Sequence, residues 1–313
     1  MENAVKSRLQ SVQLGEAQMC KNIANVPLIA PADGTFQYRT LGQAVAAGDL
    51  VITETSANGS ISELMVVNPD NKPVLLFDGE ELAGAKQNLV LNASILLKEA
   101  SETKIPVNCT EQGRWSYASK AFSESGNDMA YKSRSKKTRS VHSSLEGCGA
   151  SMSDQGEVWE GTAYFRAKVC DPSPTFAMND VFKAREDDLR QCDKIFRSVP
   201  NQVGLLAFIG GAHAGVDMLS LMGAHTKIHP KLMPWRASLN PSSKARPQMS
   251  SRPMLVNSWT KSRLPQSANS LHRPWCRASI QRQSFGRRPP VLDAIEQPER
   301  MASCRTRRRH SYE

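Results

Sequence analysis

Apolar positions along this chain fall into short runs over the first half and into longer stretches at helical spacing further on. The stretch "SVQLGEAQMCKNIANVPLIAP" reads as strand, loop and strand, closed by Pro31. "TLGQAVAAGD" reads as a short helix. Thr40 and Gln43 have the spacing of a capping box, and Gly48 suits the left-handed position past the helix end. "LVITET" and "SISELMVVN" are strand-like runs on either side of Asn58-Gly59, a tight-hairpin signal. "PVLLF" and "NLVLNASILL" predict further strands. In "KIPVNCTEQ" the residues Ile105, Val107, Cys109 and Glu111 alternate onto one face.

Residues 119–151 are polar and carry the basic run Lys132 to Arg139. "SDQGEVWEGTAYFRAKV" then predicts a helix with Val158, Trp159, Thr162, Phe165 and Val169 on its stripe. "NDVFKAREDDLRQCDKIFRSV" predicts one longer helix through Val181, Phe182, Leu189, Cys192, Ile195, Phe196 and Val199. "QVGLLAFIGG" is a buried-type strand, and "AHAGVDMLSL" leads from it towards another helix. Strands early, helices later and a final strand predict an α+β fold, strand-rich in its N-terminal half, with the later helices packed on the sheet.

Beyond Met233 this grammar stops. Residues 234–313 hold 16 Lys+Arg against four acids, with 13 Ser, nine Pro and one Gly. They carry +12, which leaves −2 for residues 1–233 out of the total of +10. No period in the segment supports an apolar face, so a disordered basic tail is expected beside a domain over residues 10–233. Such a composition is what out-of-frame translation of a GC-rich gene would produce. A selected tail of this charge would instead attract nucleic-acid phosphates weakly and without sequence preference. The chain has no apolar run of membrane-spanning length and no signal segment at its start, so a cytoplasmic protein without membrane contact is expected.

Seven cysteines without a Cys-x-x-Cys pair argue for reduced thiols rather than a disulfide framework or a structural zinc. His225 and His229 have i, i+4 spacing, but Thr226 stands where a zinc protease needs Glu, so no metal site is assigned. "IGGAHAG" lacks the Gly-Lys-Ser/Thr ending of a phosphate loop and reads as a tight turn. No motif specifies a cofactor.

Two polar words carry the chemistry. In "DGEELAGAKQNLVLN" (residues 78–92), an extended backbone would align Lys86, Asn88, Val90 and Asn92 on one face and Gln87, Leu89 and Leu91 on the other. Lysine and amides beside carboxylates suit an anionic, hydrogen-bonding ligand, with Glu80 or Glu81 able to act as a general base or to hold a ribose hydroxyl. In "EQGRW", Glu111 is a second candidate base, Gln112 offers an amide, Arg114 can fork onto a phosphate and Trp115 can stack on a planar ring. Placed together, Lys86 and Arg114 would face one pocket, Glu80 or Glu111 would reach the same ligand, and Trp115 would form a wall. The competing reading is a solvated charged hairpin beside a core tryptophan and a surface ion pair.

The words "VLLFDGEELAGAKQNLVLNASIL", "IPVNCTEQGRWSY", "SDQGEVW" and "QVGLLAFIGGAHAGVDML" occur in this order and resemble the ARPP domain family, the ADP-ribosylglycohydrolase and rhodanese-phosphatase-associated proteins, from about Gln13 to Met233. The resemblance implies a compact α+β domain tied by association to NAD and ADP-ribose metabolism, binding or processing an anionic nucleotide or an ADP-ribose-like molecule. A ligand-binding module without catalysis fits the same residues. Glu80, Glu81, Lys86, Gln87, Asn88, Glu111, Gln112, Arg114, Trp115, Gln155 and Trp159 match the family words. Leu89 stands where the family pattern has arginine, which would remove one expected cation.

Overall fold

A computed structural model describes residues 7–31, 36–56, 62–169 and 173–233. The tail assigned to 234–313 and the Asn58-Gly59 turn lie outside them. The fold is α+β, with strands dominating the first half and most of the helix in the second.

The largest sheet is antiparallel and follows the order β12 (Phe122–Asp128), β8 (Glu80–Gly84), β9 (Leu89–Leu91), β11 (Ser101–Cys109), β6 (Glu63–Asn68), β5 (Val51–Glu54). Its end strands β12 and β5 come into contact, so the sheet curls back on itself. Alternation aims Leu64, Val66, Leu82, Leu89, Leu91, Ile105, Val107 and Cys109 into one apolar interior, which helix α1 (Leu41–Ala46) closes with Leu41 and Ala44. Each leucine buried in this way contributes roughly 1.5–3 kcal/mol. The α1 caps are those read from its sequence. Thr40 and Gln43 form a reciprocal capping box. At the other end Gly48 (φ 74°) donates to Val45 and Asp49 donates to Ala44, a Schellman ending. A small sheet of β10 (Ile95–Leu97), β7 (Val74–Leu76) and β4 (Arg39–Thr40) lies beside this interior, with β4 and β7 parallel.

The remaining sheet joins the two ends of the described chain. Its order is β1 (Gln13–Leu14), β3 (Ile23–Ile29), β13 (Gln202–Ile209), β14 (Ala212–Met218), with β2 (Gln18–Cys20) also on β3. Gly210 (φ 60°) and Gly211 (φ 80°) make the β13–β14 connection, the tight turn that the sequence predicts. One face of this sheet packs with α2 (Tyr131–Cys148), α3 (Gln155–Val169), α4 (Met178–Lys183) and α5 (Glu186–Asp193) into a second core through Ile23, Leu205, Phe165, Val181 and Phe196. Helix α6 (Met222–Ile228) adds Ile228.

Four local expectations are corrected. Residues 131–148, read only as polar, form the longest helix among the described residues, because its inward face sets ion-paired Arg134 and Lys137 beside buried Tyr131 and Val141. The single helix expected after Asn179 is two, broken at Ala184-Arg185, and Ile195 lies outside both and is exposed. "AHAGVDM" is strand β14 before the chain reaches α6. Residues 85–88 turn instead of extending, with Ala85 at φ 41°, so strand alternation begins only at Leu89. Leu89 then points into the apolar interior, and an arginine there would have supplied no cation to the surface.

Candidate functional site

The word "DGEEL" lies at the junction of the two cores and is buried throughout its acids. Asp78 pairs with Lys137, whose ammonium also donates to the carbonyls of Leu91 (2.8 Å) and Asn92 (3.1 Å). Thr138 donates to the other Asp78 oxygen at 3.0 Å. Glu80 accepts from the Phe77 amide at 2.7 Å and pairs with Lys231, which also holds Glu124. Between these pairs Arg134 bridges Asp128 (2.7 Å) and Asp217 (2.5 Å) and stacks on Tyr131. Gly79, at φ 94°, is required here: a Cβ would overlap the Asp128 carboxylate and the Arg134 side chain. Five acids and three cations thus connect β8, β12, β14, α2 and the segment after α6.

Burial sets the protonation of this network. Desolvation outweighs Arg134 and pushes the Asp128 carboxyl up to about 8, with Asp217 and Glu80 adding to the rise. Burial likewise raises Glu80 despite Lys231. Burial pulls Lys231 down, but the carboxylates of Glu80 and Glu124 overcome it and the ammonium titrates above its ordinary range. Glu81 points elsewhere. It accepts from the Thr110 hydroxyl at 2.9 Å, and burial raises it to about 7.

The second word builds a clamp. All five N–H groups of Arg114 have protein acceptors. Nε and Nη2 donate to Glu111 Oε2 (2.9 and 2.6 Å), Nη2 also to Asn88 Oδ1 (3.1 Å), and Nη1 to the carbonyls of Ala85 (2.7 Å) and Ser116 (2.9 Å). The same Glu111 oxygen accepts the Asn88 amide at 3.0 Å. Gln87 accepts from the Cys109 thiol at 2.7 Å, and Gln155 brackets the Cys109 backbone from α3, accepting its N–H and donating to its carbonyl, both at 2.8 Å. These bonds hold the turn at residues 85–88 against the end of β11.

Above the clamp lies an exposed rim. The Lys86 ammonium sits 5.2 Å from the ring centroids of both Trp115 and Tyr117, which are 52% and 55% exposed. Gln112 is exposed on the same loop. Next to it Gly113 packs on Thr175, whose neighbour Phe176 is exposed and stacks with Arg166 at 4.2 Å.

The structure therefore brings Lys86, Gln87, Asn88, Glu111, Gln112, Arg114 and Trp115 together and sends Glu80 to a different network. Arg114 spends its donors within the protein, and Trp115 is a surface ring rather than a core one. Sequence reasoning missed Asp78, Asp128, Arg134, Lys137, Asp217 and Lys231. The signal that could have found four of them, Arg134, Lys137, Asp78 and Asp217, is a basic run, 132–139, matched by unexplained acids in the family words. Burial lowers His225 to about 3, with His229 beside it. Among the described residues no cluster of three or more His, Cys, Asp or Glu is placed to hold a metal, and no helix is long and apolar enough to cross a membrane.

Fold and site define a largely antiparallel α+β domain with one buried ionic network and one arginine-clamped turn. The chain belongs to the ARPP-1 family, the ARG and Rhodanese-Phosphatase-superfamily-associated Protein domain, whose model matches residues 11–253. That span runs past Met233. The chain matches no curated protein and no solved structure.

Proposed function

We propose that the domain binds an anionic, nucleotide-like ligand of the ADP-ribose type on the rim above the clamp. The observation that carries this reading is Lys86 set between two exposed aromatic faces on a turn that Arg114 holds still. A cation flanked by planar rings offers charge to a phosphate and stacking to a base, and exposed rings on a rigid loop mark ligand sites. Gln112 supplies an amide to a sugar hydroxyl or a base edge. In this reading Arg114, Glu111, Asn88 and Gln87 shape the site, and Glu80 and Glu111, both tied to cations, are structural acids. The protein then acts as a binding module in the cytoplasm.

Thermal melting with ADP-ribose tests it. At about 100 times the dissociation constant a ligand adds roughly 2.7 kcal/mol, a shift of about 5–10 °C for a domain of this size. Lys86→Met and Trp115→Ala should leave the unliganded melt unchanged and remove the shift. A shift that survives both substitutions would place the ligand elsewhere.

A further inference from the structure

Cys20, at the end of β2, and Cys192, in the last turn of α5, face each other with their sulfurs 3.0 Å apart, although 172 positions separate them in sequence. Both thiols are buried in the second core with Ile23 and Phe196. Gln18 donates to the Arg197 carbonyl at 2.8 Å, so the two segments are also held in register beside the thiols. The other described cysteines lack this arrangement: Cys109 is bonded to Gln87, and Cys148 is exposed next to Ser144. Helix α5 is short, its Glu186–Arg190 pair is solvated, and Met19 and Ile195 beside the two cysteines are exposed. Local opening there is enough to admit a small oxidant.

We propose that Cys20 and Cys192 form a modification site, at which a hydroperoxide converts the two thiols into a disulfide that ties β2 to α5. One thiolate attacks a peroxide oxygen; the S–O bond forms as the O–O bond breaks, and the departing hydroxide leaves as water with the thiol's proton. The second sulfur attacks the resulting sulfenic acid and expels hydroxide, which takes the second proton. Two thiols and one hydrogen peroxide thus give one disulfide and two waters. The reaction needs no long-range rearrangement, because the fold has already brought the sulfurs together.

The test uses the reduced full-length chain treated with equimolar hydrogen peroxide, then unfolded, alkylated, digested and mapped by mass spectrometry. The expected result is a linked pair of peptides containing Cys20 and Cys192, two fewer alkyl groups per chain, and a higher melting temperature that a dithiol reductant reverses. Cys20→Ser should abolish the link and the melting shift, with Cys192→Ser as the second variant. Cys148→Ser should keep both. Separate alkylation of Cys20 and Cys192 under conditions that oxidise Cys148, or linkage of Cys20 to another cysteine, would overturn the assignment.

Discussion

Lys137→Met removes one partner of a deeply buried ion pair, and its cost follows from what is left behind. Lys137 is 1% exposed, and its ammonium serves Asp78 and two backbone carbonyls on the strand side of the junction. Methionine fits the aliphatic path but takes away the ammonium that pairs with Asp78, leaving its carboxylate the Thr138 hydroxyl as a hydrogen-bond donor. Breaking a buried pair in this way costs about 3–5 kcal/mol, which lowers the melting temperature by about 6–20 °C at this domain size. Asp78→Asn alone should be similarly costly, because it strands the ammonium. The double variant removes both charges and should lose much less than the sum, with a coupling energy of about 2 kcal/mol or more. Urea denaturation of the four proteins measures each value from the midpoint at constant slope. A loss below about 1 kcal/mol for Lys137→Met, the range of a solvated pair, would refute the reasoning. So would additive single losses.

Other outcomes follow from the same geometry. Arg114→Ala should destabilise the domain and speed proteolysis at the 85–88 turn, whereas a phosphate-binding arginine would affect only ligand binding. Stability should fall as pH rises from 6.5 to 8. The folded-state carboxyls of Asp128 (about 8) and Glu81 (about 7) hold protons that the unfolded chain has already lost, so stability present at low pH disappears as the pH passes through these values. Each proton contributes a slope of about 1.4 kcal/mol per pH unit, and Asp128→Asn or Glu81→Gln should flatten denaturation midpoints across that range. Below pH 6.5 His225 works in the opposite sense: it stays neutral to about 3 when folded but takes a proton when unfolded, so it offsets part of the stability that the two carboxyls add as the pH falls. Full-length protein should bind DNA or RNA weakly through the +12 of residues 234–313, without sequence preference and with affinity falling steeply in salt. Salt-independent or sequence-specific binding would contradict that assignment.

Sequence alone determined the parts of this protein whose cause is local. The α1 caps depend on Thr40, Gln43 and Gly48, all within one short stretch, and the β13–β14 turn depends on two adjacent glycines. The alternation of Ile105, Val107 and Cys109 follows from the two-residue period of a strand, whatever it packs against. The motif words likewise located the polar centre of the domain. What only tertiary structure decided is which charge meets which. Helix α2 sets Arg134 and Lys137 on its buried face beside Tyr131 and Val141, and the acids that make these charges tolerable there, Asp78 and Asp217, lie 59 and 83 positions away. Glu80 finds Lys231 across 151 positions. Apolar residues bury against any apolar surface, so their pattern is readable without the partner. A buried charge is acceptable only against one particular opposite charge, and that partner is chosen by the fold.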